Sequence, residues 1–332
     1  MIYKSEDIKK MNSLLLLNQL YEIQSATMSE LVKVTHLSQS SVRSILKSLE
    51  SKGILTLDHM EQSNGGRCPG RYTFSVEHFQ ILSVFIDEGY VDIIQKDILQ
   101  KESMKEHIKC ELNEELEKHI LDIVSKTSIN CISIASSGVV QDDCFYTDHG
   151  EYMMKHAIAC NLKQHLSIPI IIENDVKSMM MGIRCHQTCN SLAYLYMSDT
   201  GVGSAYYLHS DILKGHQSFS GELGMLPYLD HTINEVIACH PDDKTLEDIY
   251  VQILATIALT IDPEKIIISG KNLHRLSITR IKEHLHQCLS SRYQLNIDLS
   301  NDPLHDGLEG LHYMGILKLF DQYTDYEGVH YE

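Results

Sequence analysis

Two helix-start signals eleven residues apart, near the N-terminus, constrain the fold more than any other feature of the chain. Thr27-Met28-Ser29-Glu30 fits a capping box, in which the threonine side chain accepts from the amide three residues on and the glutamate reaches back. A short helix through Val34 follows, then a tight turn at Thr35-His36-Leu37. Ser38 then caps a second helix whose apolar positions, Val42, Ile45, Leu46 and Leu49, repeat at the spacing of one helix face, and Gly53 stands where that helix should stop. Upstream, Glu6 to Ile23 reads as an amphipathic helix with Ile8, Met11, Leu15 and Leu16 among its apolar positions. Downstream, two short strands, Ile54 to Asp58 and Arg71 to Phe74, flank a glycine-rich loop. Helix, turn, helix and hairpin in this order predict a winged helix-turn-helix.

The second capped helix turns Gln39, Ser40, Ser41, Arg43, Ser44 and Lys47 away from its apolar face. Such a face suits a major groove: Arg43 for a guanine edge, Gln39 for an adenine edge, the serines for phosphates or bases. A merely solvated helix face would also be polar. In the loop Ser63 to Gly70, Gly66 allows close backbone approach and Arg67 is placed for a minor groove, although an ordinary hairpin tip reads the same way.

Charge distribution agrees with duplex DNA as partner. The 332 residues carry a net −17, yet residues 1–75 hold nine Lys and Arg against seven Asp and Glu. The remainder holds 19 against 38, so a polyanion is repelled by the body and admitted only at the N-terminal end. Met1 to Lys10 lacks the apolar run of a signal peptide, no stretch is apolar enough for a membrane span, and the nine cysteines are scattered without a CxxC pair. These features predict a cytoplasmic protein with free thiols.

The N-terminal residues resemble the ROK family (repressor, open reading frame, kinase). The resemblance rests on Asn12, the Thr27 cap, Leu37 to Val42 and above all Ser63-Asn64-Gly65-Gly66-Arg67-Cys68-Pro69. It continues along the chain in order, through Ile134 to Val140, Ile168 to Asp175 ending in Glu-Asn-Asp, Thr200-Gly201-Val202-Gly203, Ser220 to Gly224 and Ile261 to Gly270. Alternating strand and helix patterns after Ile81, with Met154 to His165 among the predicted helices, independently argue an α/β body. The resemblance implies a winged helix-turn-helix over residues 1–76, followed over 77–332 by an actin-like, ribonuclease-H-like two-lobed domain.

By the same resemblance, Asn174, Asp175 and Glu222 stand where the family's kinases bind sugar hydroxyls, Asp175 at the position of the base; the alternative for Asn174 and Asp175 is that they merely cap the following helix. The phosphate loops depart from the kinase pattern. The first reads Asp87-Glu88-Gly89-Tyr90-Val91, placing a ring and a lost hydroxyl where phosphate should approach, and Asp199 adds a carboxylate to the second. Met225 occupies the family's zinc-histidine position, and neither Cys239-His240 nor Cys185-His186 with Cys189 supplies four convergent ligands. The expectation is therefore a repressor of carbohydrate-related genes rather than an enzyme. It has no cofactor or metal, binds an inverted-repeat operator as a homodimer or dimer of dimers, and answers to a monosaccharide. An active sugar kinase, or a DNA-binding protein whose body is only a dimerisation scaffold, are the competing readings.

Overall fold

The computed structural model describes residues 5–58, 70–148, 153–187, 189–289 and 295–324. It begins with α1 (Ser5–Ile23), α2 (Met28–Thr35) and α3 (Gln39–Ser51), followed by the antiparallel pair β1 (Leu55–Asp58) and β2 (Arg71–Phe74). The capping box is formed: Thr27 Oγ1 accepts from Glu30 N–H at 3.2 Å and Glu30 Oε2 accepts from Thr27 N–H at 2.8 Å. His36 ends α2 in the left-handed conformation, and Ser38 Oγ accepts from Ser41 N–H at 3.1 Å to start α3. Arg71 fastens the ribbon to the helices, donating to the Ser25 carbonyl at 2.7 Å and pairing with Glu30 at 3.1 Å.

Of the four apolar positions named for α1, only Leu16 is buried. Leu16, Leu17 and Leu20 are fully buried, whereas Ile8, Met11 and Leu15 are 49, 56 and 40% exposed. A helix with leucines at four successive positions, Leu14 to Leu17, has apolar residues on more than one face, and tertiary packing decides which face is covered.

Two sheets of the same topology form the body. The first contains β3 (Gln80–Asp87), β4 (Tyr90–Asp97), β5 (Glu102–Lys109), then α4 (Glu114–Lys126), β6 (Cys131–Ser136), the small meander β7 (Val139–Gln141), β8 (Cys144–Asp148) and β9 (Met153–His156), α5 (Ile158–Lys163) and β10 (Ile170–Asn174). Its strand order is β10-β6-β3-β4-β5, with the first three parallel and the hairpins antiparallel. After α6 (Asp175–Arg184) the second sheet contains β11 (Ser191–Met197), β12 (Val202–Leu208) and β13 (Asp211–Ile212), followed by the ribbon β14 (Pro227–Tyr228) and β15 (His231–Thr232). Then come α7 (Ile233–Ala238), α8 (Asp243–Thr260), β16 (Lys265–Gly270), α9 (Ile278–Cys288), β17 (Ile297–Ser300) and α10 (Pro303–Thr324). Its order, β13-β12-β11-β16-β17, repeats the first: a three-stranded antiparallel meander extended by two parallel strands.

Residues 154–165, expected as one helix, are instead strand β9 and the short α5. Cross-strand pairing with β8 takes the Met-Met-Lys-His segment. His156 is fixed there between the Leu112 carbonyl and Thr147 Oγ1, both at 3.0 Å.

α6 and α10 lie between the two sheets and share one core with both, through Phe85 and Ala135 on one side and Tyr194 and Ile267 on the other. The helices approach closely because small residues face each other: a Cβ on Gly310 would stand 1.8 Å from the Ser178 carbonyl oxygen, and one on Gly182 1.9 Å from that of Asp306. α10 then continues into the N-terminal unit. Phe320 stacks on Phe74 at 5.5 Å and meets Phe79 edge-on at 5.7 Å, in a core that also holds Leu16, Leu20, Leu46 and Leu49. Lys10 pairs with Asp321 at 2.6 Å, and Lys52 donates to the Tyr323 carbonyl at 2.9 Å.

Candidate effector cleft and nucleic-acid face

Asn174, Asp175 and Glu222, from separate segments, line one cleft of about 440 Å³. β10 ends at Asn174, whose Oδ1 accepts from Lys177 N–H at 3.2 Å to start α6 while its amide donates to the Gly138 carbonyl at 3.0 Å. Asn174 therefore does cap a helix, and the same side chain also fixes the turn after β6. Asp175 Oδ1 accepts from Val176 N–H at 2.8 Å. Glu222 reaches the cleft because Gly221, at φ +102, lies so close to β12 that a Cβ would stand 1.8 Å from the Ser204 carbonyl oxygen.

The cleft is acidic. Burial, followed by the charges of Asp87 and Glu222, pushes Asp175 up to about 6. Burial also raises Glu222, and burial with the Glu88 charge raises Asp87. Carboxylates and amides that share a half-buried space can accept and donate paired hydrogen bonds to vicinal hydroxyls. Around them stand Ser137 and Thr200, both within segments that the resemblance named, and Ser198, Ser204 and Asn234, whose part in the cleft the sequence did not reveal. Asn234 is held by accepting from Val202 N–H at 2.9 Å.

The two loops that resemble phosphate loops meet at the mouth of this cleft. Asp87 to Tyr90 is a two-residue hairpin turn with Glu88 and Gly89 both left-handed, at φ 47 and 80. Lys271, just past β16, bridges the lobes: its Nζ lies 2.6 and 2.7 Å from the two Glu88 oxygens and 3.8 Å from Asp199. Lys271 was also missed, and the Ser269-Gly270-Lys271 run at a strand end was its only sequence signal. The ring of Tyr90 corrects one expectation. It does not line the cleft but stacks on His107 of β5, with centroids 5.2 Å apart and planes within 5°. Tyr90 opens β4 directly after the turn, opposite Lys109, so its ring stands on the same face of the sheet as His107 two positions along β5.

Of the proposed nucleic-acid face, Gln39, Ser40, Arg43, Ser44 and Lys47 are exposed on α3 and Ser41 is half-buried. Ser40 and Ser41 hydroxyls both contact Ser38 Oγ, at 2.9 and 2.8 Å, so they shape the N-terminus of the helix. Gly66 and Arg67 lie outside the described residues.

Comparison with known proteins places this geometry. A model of the ROK family matches residues 91–249, a span that contains Asn174, Asp175, Glu222 and the second loop. Residues 91–249 are therefore similar to a ROK family domain. Homology extends to the xylose repressor of Bacillus spizizenii, 23% identical in an alignment of 233 residues that covers 65% of this chain and 60% of that protein, so the match spans less than two thirds of the repressor's length. Among solved structures, a ROK family transcriptional regulator described as a homologue of the E. coli MLC protein superposes with a TM-score of 0.74 over 96% of this chain and 99% of its own, at 14% identity. The ROK hexokinase of Thermus thermophilus superposes with a TM-score of 0.61 over 73% of this chain and 99% of its own, at 15% identity. The two-lobed ROK fold is therefore common to regulators and kinases, and the cleft residues have to separate them.

The zinc site that the ROK resemblance implies does not fit here. Met225 is exposed in the histidine position, Cys185 donates to the Gly182 carbonyl at 3.0 Å, and among the described residues no three His, Cys, Asp or Glu side chains converge as a metal requires. Among those residues no helix is long and apolar enough to cross a membrane.

Proposed function

We propose that this chain is a sugar-responsive, DNA-binding repressor of the cytoplasm, with residues 1–76 on duplex DNA and residues 77–332 as effector and dimerisation domain. The observation that carries the reading is mechanical. α6 starts in the sugar-type cleft at Asn174 and Asp175, packs on α10 through Gly182 and Gly310, and α10 ends in the core of the N-terminal helices at Phe320. A ligand that pulls the two lobes together changes the seat of that helix. It shifts the DNA-binding geometry only by its differential affinity for the two states.

On DNA, α3 enters the major groove, with Gln39, Arg43 and Lys47 presented outward, and a two-fold dimer places two such helices on an inverted repeat. The homology to a xylose repressor makes a neutral pentose the first effector to try. Phosphoryl transfer is disfavoured by the mouth of the cleft, where Glu88 and Asp199 stand on the two loops and Lys271 is already engaged by them.

The test is retention of genomic fragments by the full chain at low salt, with and without xylose and a panel of neutral sugars. Arg43→Ala is expected to weaken specific binding by on the order of 1–3 kcal/mol, and Glu222→Ala to abolish the sugar response while leaving binding intact. Absence of binding to every fragment sinks the regulator reading. The kinase reading is favoured by one observation, the Asp175 carboxyl at about 6, within reach of general-base work near neutrality. Sugar-dependent ATP consumption in a coupled assay, lost in Asp175→Asn, would establish it instead.

A further inference from the structure

A second cavity, of about 660 Å³, opens between the lobes away from the sugar-type cleft. One wall is the outer edge of the first sheet, at Ile170 to Ile172 of β10. The other is the outer edge of the second, at Tyr207 and Ile212, and the floor is α10. Met314 and Leu317 on that floor are half-buried, and Met181 of α6 closes the inner end. A volume in this range, an apolar floor with a few polar groups at the rim, and a position at a lobe junction are the usual marks of a small-molecule site.

The rim decides the polarity of the occupant. Asp143 is paired with Lys163, Asp321 with Lys10, and Lys214 reaches from beyond β13 to the buried Glu173 at 3.0 Å. Asp211 turns its carboxylate to the amide of Ile212 at 2.8 Å. Lys318 lines the same cavity and makes no ion pair among the described residues. Among the described residues Lys318 is thus the rim cation without an ion pair, and above an apolar floor it matches a molecule with an apolar body and a single anionic head.

We infer that this interlobe cavity is a second ligand site, for a small anionic amphiphile such as an aromatic or medium-chain carboxylate, with Lys318 holding the head and Ile212, Met314 and Leu317 the body. The site stands independently of the sugar-binding reading. It is nonetheless connected to that cleft, because β10 and α6 serve both: Ile172 and Met181 face the cavity, Asn174 and Asp175 the cleft. Met181 lies six residues beyond Asp175, about 9 Å along the helix axis. An occupant also touches Lys318 and Asp321, which flank the Phe320 that anchors the N-terminal helices.

The experiment uses the full chain and anilinonaphthalenesulfonate, an anionic aromatic probe whose fluorescence rises on binding, displaced with octanoate or with a cationic amphiphile of equal chain length. Saturable one-to-one binding is expected, displaced by octanoate and not by the cation. Lys318→Glu and, separately, Met314→Glu should each weaken the probe by about tenfold or more, since a charged head and an apolar wall each contribute at least that much. Glu222→Ala should leave it unchanged, and circular dichroism of each variant checks that it folds. Binding that never saturates, equal displacement by the cation, or affinity unchanged in both cavity variants overturns the assignment. So does loss of the probe in Glu222→Ala alone, which would put it in the sugar-type cleft.

Discussion

The two lobes are built on the same strand order, yet they meet the cleft with different equipment. In the first lobe the leading hairpin turns at Glu88-Gly89, two left-handed residues that bring β4 back at once. In the second, the matching hairpin between β11 and β12 carries a looser turn, Ser198 to Gly201, in which Ser198 Oγ accepts from the amides of Thr200 and Gly201 at 3.2 and 3.1 Å. The second turn satisfies its own amides with a serine hydroxyl, while the first is closed by left-handed backbone alone, and each carries one carboxylate, Asp199 and Glu88. Lys271 binds the two together. A repeated topology thus fixes where the loops stand and leaves their chemistry free, which is how one fold serves regulators and kinases alike.

The largest expected effect lies where the lobes share their two middle helices. Gly310→Val places a side chain against the Ser178 carbonyl, and overpacking of this kind costs about 2–3 kcal/mol. Equilibrium denaturation measures it. A loss below half of that would mean the two helices separate easily and the lobes are less tightly joined than described.

Asp175→Asn sharpens the comparison in the opposite direction. The native state holds Asp175 with a raised pKa, so folding is opposed wherever the unfolded chain would ionise it and the folded chain resists. Removing the charge should stabilise the protein by on the order of 1–3 kcal/mol above pH 6, with the gain vanishing as pH falls toward 4. A pH-independent gain would assign the effect to packing instead.

Smaller still is Lys271→Met. The clasp is more than a third exposed on both sides, so its loss should cost no more than about 1 kcal/mol of stability. Its effect should show in lobe separation, as a larger radius of gyration by solution scattering at low salt, and an unchanged radius would mean other contacts hold the mouth. Tyr90→Ala should be the mildest, within about 1 kcal/mol from the lost stack on His107, and should leave the cleft's ligand binding untouched; weaker sugar binding in this variant would return Tyr90 to the cleft.

Local order was legible in the sequence wherever short-range rules act alone. The Thr27 and Ser38 caps, the apolar face of α3 and the β10–α6 junction at Glu173-Asn174-Asp175 stand as read, because capping and periodicity are decided within a few residues. The expected helix at 154–165 failed because β8 supplied a strand partner, and long-range pairing overrides a weak helical pattern. The exposed stripe on α1 and the role of Lys271 were beyond reach for the same reason: each depends on α10 or on an opposite lobe more than 180 residues distant, as in the Glu88 to Lys271 bond. The convergence of Asn174, Asp175 and Glu222 was readable only through family resemblance, since nothing local links residue 222 to residue 174.

Under the DNA-binding function proposed above, the Lys271 clasp has a consequence for how affinity is to be measured. Counterion release makes the slope of binding against salt a count of phosphates neutralised, on the assumption that the protein itself is indifferent to salt. Here, added ions also screen an exposed interlobe pair, so the same titration loosens the body that orients α3. The apparent number of phosphate contacts will then exceed the number of basic groups on the DNA face. Repeating the titration with the clasp replaced by an uncharged pair would return the slope to the contacts alone.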